Sequence, residues 1–352
     1  MKSTVLSKEY QEGMVSVVMP CFDGERYIAE AVESVISQTY TDWELIIVDD
    51  GSSDGSGKAI EPFLRDKRII YIKHARNRGI PLARNTGVVC SRGEYIALLD
   101  QDDIWLPAKL DKQVRAIKRA QGEKTGIVFT DQFLLQGGRL SVCSWPTSVI
   151  PVDMNNLSLE EVLESLYLAN FIPTITAMLS RDCLYDTGLF DESITGGADD
   201  HDLFLRIAAK HKIIYLEERM AVKRIHPGNY YDIERVMEGE LHIADKMMEM
   251  YPELVALKKK KLCAIYNRLA NHYRAKHDYF TAKRYIAEAI RIRPLYLYWL
   301  KYAGCLLGIY AGEEIEERYN KYLYKLAGLQ GKIIRLSKMP AVVFKKAPMR
   351  RS

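Results

Sequence analysis

The sequence is poor in several features that classify a chain at once. Its six cysteines (Cys21, Cys90, Cys143, Cys183, Cys263 and Cys305) are scattered, with no C-x-x-C pair and no metal-type spacing. That excludes a cysteine-held metal or a disulfide scaffold. The polar opening over residues 1–13 carries no secretory signal, so free thiols in a reducing compartment are expected. No fixed-period repeat and no low-complexity block is present, which leaves ordinary globular domains. The longest apolar stretch, residues 295–311, contains Lys301 and is slightly short for a membrane span. The first βα turn lacks G-x-G-x-x-G, which argues against a dinucleotide oxidoreductase. A large charge excess is missing too. Residues 331–352 nevertheless hold seven Lys/Arg and no acid, and taking those seven from the overall +4 leaves −3. The body is mildly acidic and only the tail is basic.

What is present is a series of apolar runs that end in carboxylates. At 352 residues the chain has room for one large α/β domain and an appendage. Residues 95–100 read as a buried strand that runs into Asp100, Asp102 and Asp103. Pro107 then suits a first helical turn, and Leu110, Val114 and Ile117 share one helical face. Residues 15–19, 43–50 and 69–72 read as further strands, and residues 81–89 as a helix. Strands alternating with helices predict a mostly parallel sheet. In such sheets ligands bind beyond the C-terminal strand ends. Acids crowded there repel one another unless a cation lies between them. Asp100 and Asp102 suit a hard divalent ion, Mg²⁺ or Mn²⁺, that also takes phosphate oxygens. The plainer alternative is an acidic helix N-cap made by Asp102 or Asp103.

Further along, residues 126–130 read as a strand and residues 131–158, with Gly137-Gly138, as loops over the sheet edge. A helix is predicted around residues 159–168 and a strand around 174–179. A second acidic cluster, Asp199, Asp200 and Asp202, precedes a helix through Leu203 and Ile207, and residues 213–216 read as another strand. Arg224-Ile-His226-Pro-Gly228 closes the domain on this reading. Beyond residue 230 the pattern is helical, and residues 270–294 have the look of one tetratricopeptide-like hairpin. The expected organisation is a lead over 1–13, a catalytic domain over 14–228, a helical extension over 229–330 and a basic tail over 331–352.

In order, Val17-Val-Met-Pro20, Gln38-Thr39, Val48-Asp-Asp50-Gly-Ser-Ser-Asp54, Asn77-Arg-Gly79, Ala83-Arg84-Asn85-Thr-Gly87, Gly93-Glu-Tyr-Ile96 and Leu99-Asp-Gln-Asp-Asp103 resemble family-2 glycosyltransferases of the GT-A fold. The resemblance covers about residues 14–228. It implies an α/β fold with a mostly parallel central sheet, here followed by the α-helical extension. It also implies an inverting, metal-dependent transfer of sugar from a nucleotide-sugar, with a UDP-sugar as the family default. Asp50 would accept from the base, Pro20 and Phe22 would line the nucleoside, and Arg84 would hold the base or phosphate side. Asp102 would bind Mn²⁺ or Mg²⁺ at the diphosphate, Asp100 would contact the ribose or the metal's water shell, and His226 would lie near diphosphate or metal.

The family's general base falls on Asp200, in the position of the Asp of a Glu-Asp pair. Here Asp199 replaces the Glu, and His201 replaces the aromatic that usually follows. Asp199 and His201 remain alternative bases. For several of these residues the residue pattern also allows a structural role: a turn at Asp50, a surface charge at Arg84, a helix cap at Asp103 or Asp200, simple packing at His226. Trp145 could stack on an acceptor sugar or plug the core.

No tryptophan stands in the Gln-x-x-Arg-Trp context of the family's processive synthases, so single additions are expected. By analogy, the setting is surface-glycan assembly on a lipid-linked, glycan or protein acceptor, in the cytoplasm or peripherally on the inner membrane face. The basic tail, interleaved with Ile333, Leu336, Val342 and Phe344, suits an anionic membrane surface, the plainer alternative being a disordered, solubilising end. With an acidic body and sparse aromatics it does not suit nucleic acid. Nucleotidyl transfer, nucleotide-sugar hydrolysis and a non-catalytic nucleotide-sugar sensor are the rival readings.

Overall fold

The first two strands are apolar on both faces because helices cover both sides of them. A computed structural model describes residues 9–120, 124–142, 150–194, 196–229 and 232–306. By internal contacts the chain divides into a unit ending at Lys258 and a second beginning at Lys259. In the first unit the strands are β1 (Gln11–Cys21), β2 (Trp43–Asp49), β3 (Ile69–Lys73), β4 (Gly93–Leu98), β5 (Ile104–Trp105), β6 (Thr125–Gln136), β7 (Arg139–Val142), β8 (Met178–Ser180) and β9 (Lys212–Ile225). They form one sheet in the order β3-β2-β1-β4-β8-β6-β9-β5, with β7 beside β6. The β3-β2-β1-β4 half is parallel, as is the long β6–β9 ladder. β8 runs antiparallel between β4 and β6.

The helices of this unit are α1 (Ile28–Ile36), α2 (Ser56–Ile60), α3 (Ile80–Cys90), α4 (Lys109–Arg119), α5 (Leu159–Leu168), α6 (Arg181–Thr187), α7 (Asp199–Ala208) and α8 (Ile233–Met250). Strand alternation sorts the side chains into two cores. Val15, Val17 and Met19 of β1 join Tyr95 and Ala97 of β4 beneath α1 and α4. Val18, Ile96 and Leu98 face the other way, into a core with α5, α7 and α8. Helix α5 begins with a reciprocal capping box between Ser158 and Glu161.

Four expectations change. Residues 131–142 are not loops but a hairpin, because Gly137 and Gly138 both take positive φ (56° and 77°), the geometry of a tight two-residue turn. The β-branched run Thr174–Thr176 is a 3-10 turn, and the strand starts only at Met178. β9 extends to Ile225, since its polar second half still pairs with β6. The helix predicted to open the extension, α8, buries Ile243, Ala244 and Met247 in the larger core, which moves the division from 228 to Lys258.

The second unit holds α9 (Lys258–Ala275), α10 (Tyr279–Ile292) and α11 (Tyr296–Leu306). Small and apolar residues including Cys263, Ala270, Ala282, Ile286 and Ala289 make its core. Asp278 caps α10 through the Thr281 N–H. Residues 307–352, and with them the basic tail, lie outside the described residues, as do Cys143 and Trp145. Among the described residues no helix is long and apolar enough to cross a membrane.

Candidate active site

The C-terminal ends of β1, β2 and β4 deliver three loops to one edge, and side chains lace them together. Gln101, after β4, accepts the Phe22 N–H at 2.9 Å and donates to the Phe22 carbonyl at 2.9 Å. The Asp23 carboxylate accepts the Ser53 N–H at 2.8 Å. Phe22 itself is left exposed, and Pro20 sits half-buried at the end of β1. Gly51 has φ +84°, and a Cβ there would lie 2.6 Å from the Arg76 backbone. Only glycine lets the 76–79 loop come so close.

That approach engages Asp50. One of its oxygens pairs with His74 Nδ1 at 2.7 Å, and the other accepts the N–H groups of Arg78 and Gly79 at 2.9 and 2.7 Å. Its neighbour Asp49, not Asp50, makes the turn by accepting the Ser52 N–H at 2.7 Å.

Arg84 stands elsewhere than expected. It is not open to a phosphate but is buried between the two acidic clusters, donating to Asp199 at 2.7 Å and to Asp100 at 3.0 Å. Burial alone would raise the Asp100 pKa, but Arg84 and Lys223 outweigh it and hold that carboxyl below its ordinary value. At Asp199 burial wins over Arg84, and the pKa is raised.

The helix-cap reading of the first cluster does not hold. The N-cap of α4 is Ala108, and no side chain caps it. Asp103 is instead fully buried, accepting the Arg224 N–H at 2.7 Å and pairing with Lys223 at 3.2 Å. Burial, helped by Asp102 and Asp100, pushes Asp103 up to about 7 although Lys223 pulls the other way.

Asp102 lies 3.0 Å from His226 Nε2 and accepts from Asn229 Nδ2 at 2.8 Å. His226 Nδ1 accepts the Gly228 N–H at 3.1 Å, which leaves Nε2, the ring nitrogen facing Asp102, as the one whose lone pair an ion could take in place of a proton. One carboxylate and one imidazole would fit a hard divalent ion that takes its other ligands from elsewhere. They are too few to cage an ion alone: among the described residues no group of three or more His, Cys, Asp or Glu does so.

The two clusters share a cavity of about 270 Å³, lined by Asp100, Asp200, Lys223, Gln132 and the 170–175 segment. Asp200 enters it from the first turn of α7, with one oxygen accepting the His201 N–H at 2.6 Å and the other the Thr174 hydroxyl. Burial and the adjacent Asp199 push Asp200 up to about 6, against Arg84 and Thr174. His201 is no rival. It is fully buried, with Nδ1 on Glu240 at 2.7 Å and Nε2 on the Leu166 carbonyl at 2.8 Å.

The structure therefore joins Arg84 to Asp100, Asp102 to His226, and Asp100 to Asp200 across one cavity. Asp50 and Phe22 stand on neighbouring loops and Pro20 at the end of β1, and among the described residues the Asp50 carboxylate bonds to His74, Arg78 and Gly79 rather than to these. Sequence reading missed Thr174, Lys223, Arg224 and Asn229. The last three flank His226, Arg224 within the Arg224–Gly228 stretch and Lys223 and Asn229 at its two borders, and that stretch was the available signal. Thr174 had none.

Comparison with known proteins adds the following. Residues 16–132 match the family model described as glycosyl transferase family 2. WcaA of Escherichia coli K12, a putative colanic acid biosynthesis glycosyl transferase, is 28% identical over 259 residues, covering 72% of this chain and 87% of that protein. WfgD of Escherichia coli, a UDP-Glc:alpha-D-GlcNAc-diphosphoundecaprenol beta-1,3-glucosyltransferase, is 40% identical over 101 residues, covering 29% of this chain and 40% of that protein. The chain spans about a third of the length of the first curated relatives it matches, for example 34% of an uncharacterised glycosyltransferase of Rickettsia felis. Mannosyltransferase PcManGT from Pyrobaculum calidifontis, in complex with GDP-Man and Mn²⁺, has a similar fold. Its TM-score is 0.56 at 20% identity, covering 93% of this chain and 90% of that one.

Proposed function

Because the chain belongs to glycosyl transferase family 2 through residues 16–132 and has the GT-A fold, we propose that it moves a single sugar from a nucleotide-diphosphate-sugar to an acceptor hydroxyl, with inversion. The observation that carries this reading is that Asp100 and Asp200, one from each acidic cluster, line the same cavity. A donor held by the first cluster would present its anomeric carbon to a hydroxyl activated by the second.

In this reading Pro20, Phe22 and Asp50 receive the nucleoside, and Asp100 the ribose. Arg84 holds Asp100 and Asp199 in register rather than binding phosphate. Asp200, raised to about 6, is largely ionised at neutral pH yet basic enough to take a proton. It accepts the proton of the acceptor hydroxyl as that oxygen bonds to the anomeric carbon and the bond to the diphosphate breaks on the opposite face. Asp102 and His226 would hold Mn²⁺ or Mg²⁺, which when bound supplies neutralisation of charge on the departing diphosphate.

WcaA and WfgD, named for colanic acid biosynthesis and for transfer from UDP-Glc to a diphosphoundecaprenol-linked sugar, support a UDP-sugar donor and a surface-glycan, lipid-linked acceptor. The Mn²⁺ in the PcManGT complex supports the metal. The basic tail supports work at the inner membrane face.

The deciding experiment incubates the full chain with Mn²⁺, a panel of nucleotide-sugars and lipid-linked or free sugar acceptors, and follows products by mass spectrometry. A new glycoside of inverted configuration is expected. Free sugar alone, or nucleotide transfer, would replace this reading with hydrolysis or nucleotidyl transfer. Donor binding without turnover would leave a sensor.

A further inference from the structure

Asp200 emerges at a helix start, where a carboxylate held by a single backbone N–H is free to swing, because its terminal torsion is broad. Two donors remove that freedom: the His201 N–H on Oδ1 and the Thr174 hydroxyl on Oδ2. Thr174 is carried on a turn that is itself fixed. Trp105 Nε1 donates to the Ile175 carbonyl at 2.7 Å, and Gln113 Nε2 donates to the carbonyls of Thr176 and Val128, both at 2.8 Å. Lys109 Nζ donates to Gln113 Oε1 at 2.8 Å, which orients that amide. Trp105, Lys109 and Gln113 are all buried. Trp105 ends the segment that begins at Asp100, so the loop bearing the donor-side acids also braces the turn that holds the base.

We propose that Thr174 is a positioning residue for sugar transfer, fixing the Asp200 carboxylate so that its remaining lone pairs face the acceptor hydroxyl in the cavity. This rests on Asp200 acting as the base. The Thr174 hydroxyl has one proton and spends it on Asp200. Its own lone pairs stay available to a second hydroxyl of the acceptor, since Thr174 also lines the cavity. A hydrogen bond to the ionised carboxylate favours that form. The other charges facing Asp200 are Asp199 on the same helix, Arg84 from α3, the adjacent His201, and Asp100 and Lys223 in the cavity wall. None of them changes when only the Thr174 hydroxyl is removed.

The test compares Thr174→Val, Thr174→Ala and Thr174→Ser with the wild type, all as the full chain. Loss of the hydroxyl should lower kcat by about tenfold, part of the 10²–10⁴ a general base supplies, with the donor KM unchanged. The acidic limb of kcat/KM should move to higher pH. Thr174→Ser should restore both. Carboxyl ¹³C NMR, with the Asp200 signal assigned by Asp200→Asn, should show that group titrating at higher pH in the Val and Ala variants. Val and Ala profiles that superimpose on the wild type, or a serine variant as impaired as they are, would overturn the proposal with the transferase reading intact. A wild type without transferase activity would overturn that reading and with it the catalytic role. The NMR titration would still decide whether Thr174 holds Asp200.

Discussion

Asp102 and His226 are 124 residues apart in the chain and 3.0 Å apart in space. Asp102→Asn keeps the shape and the contacts to His226 and Asn229 but removes the charge. It should abolish Mn²⁺-dependent donor binding in calorimetry and leave the melting temperature unchanged. His226→Ala should weaken metal binding by at least the roughly 10–100-fold that loss of a ligand's supporting partner costs. Full turnover in the presence of a strong chelator would remove the metal from the mechanism.

Asp200→Asn should cut transfer by ~10²–10⁴ and leave donor affinity intact. In the wild type, kcat/KM should rise with pH through about 6, because the base must be ionised and Asp200 is raised to about 6. If Asp199→Asn is inactive while Asp200→Asn turns over normally, the base is the neighbouring residue.

The Arg84 and Asp199 side chains are only 6% and 2% exposed. Arg84→Gln would leave Asp199 without its cation and Asp100 with Lys223 alone. Breaking such a buried pair costs about 3–5 kcal/mol, to be read from urea unfolding monitored by tryptophan fluorescence. An unchanged midpoint would contradict this role for Arg84.

Lys109 is buried against the Trp105 ring, 3.9 Å from its centroid, and burial holds it well below the ordinary lysine range. The folded state thus favours the neutral amine, and unfolding takes up a proton. Stability should therefore rise with pH from the folded-state pKa up to the ordinary lysine value near ~10.4. Lys109→Met should flatten that rise. Parallel stability–pH curves for the two proteins would count against it.

Removing residues 331–352 deletes seven basic side chains and no acid. Each is worth about 1 kcal/mol near an anionic leaflet. The shortened protein should lose binding to phosphatidylserine vesicles at low salt yet transfer to a soluble acceptor as before. Equal vesicle binding by both forms would dismiss the tail as an anchor.

The first acidic edge of the candidate site was legible in the sequence because its residues sit where apolar strands stop. Asp50 and Asp100 announce a strand end by an abrupt change of polarity, and Gly51 marks the turn. Asp200 was legible through its acidic neighbours. The use made of Arg84 was not, since a charge on a short helix reveals nothing of the two carboxylates brought to it from residues 100 and 199. Asp103 looked like a cap because Pro107 signals a helix, but β5 intervenes and the helix begins at Lys109. Thr174 was hidden by its own chemistry: Thr174-Ile-Thr176 has strand propensity, and tertiary hydrogen bonds from Trp105 and Gln113 hold it as a turn instead.

β5 is only Ile104 and Trp105, paired with Val222 and Ala221 of β9, and it has a bearing on the order of assembly. A chain emerging from its N-terminus can lay down β1 to β4 while the Asp100–Asp103 loop still has nothing to seal against. The partner strand is translated more than a hundred residues later, bringing Lys223, Arg224 and His226 with it. A nascent or truncated product ending near residue 132 would contain every residue of the matched family stretch yet lack both the strand that seals this loop and Asp200. β9 is the stitch that closes this loop.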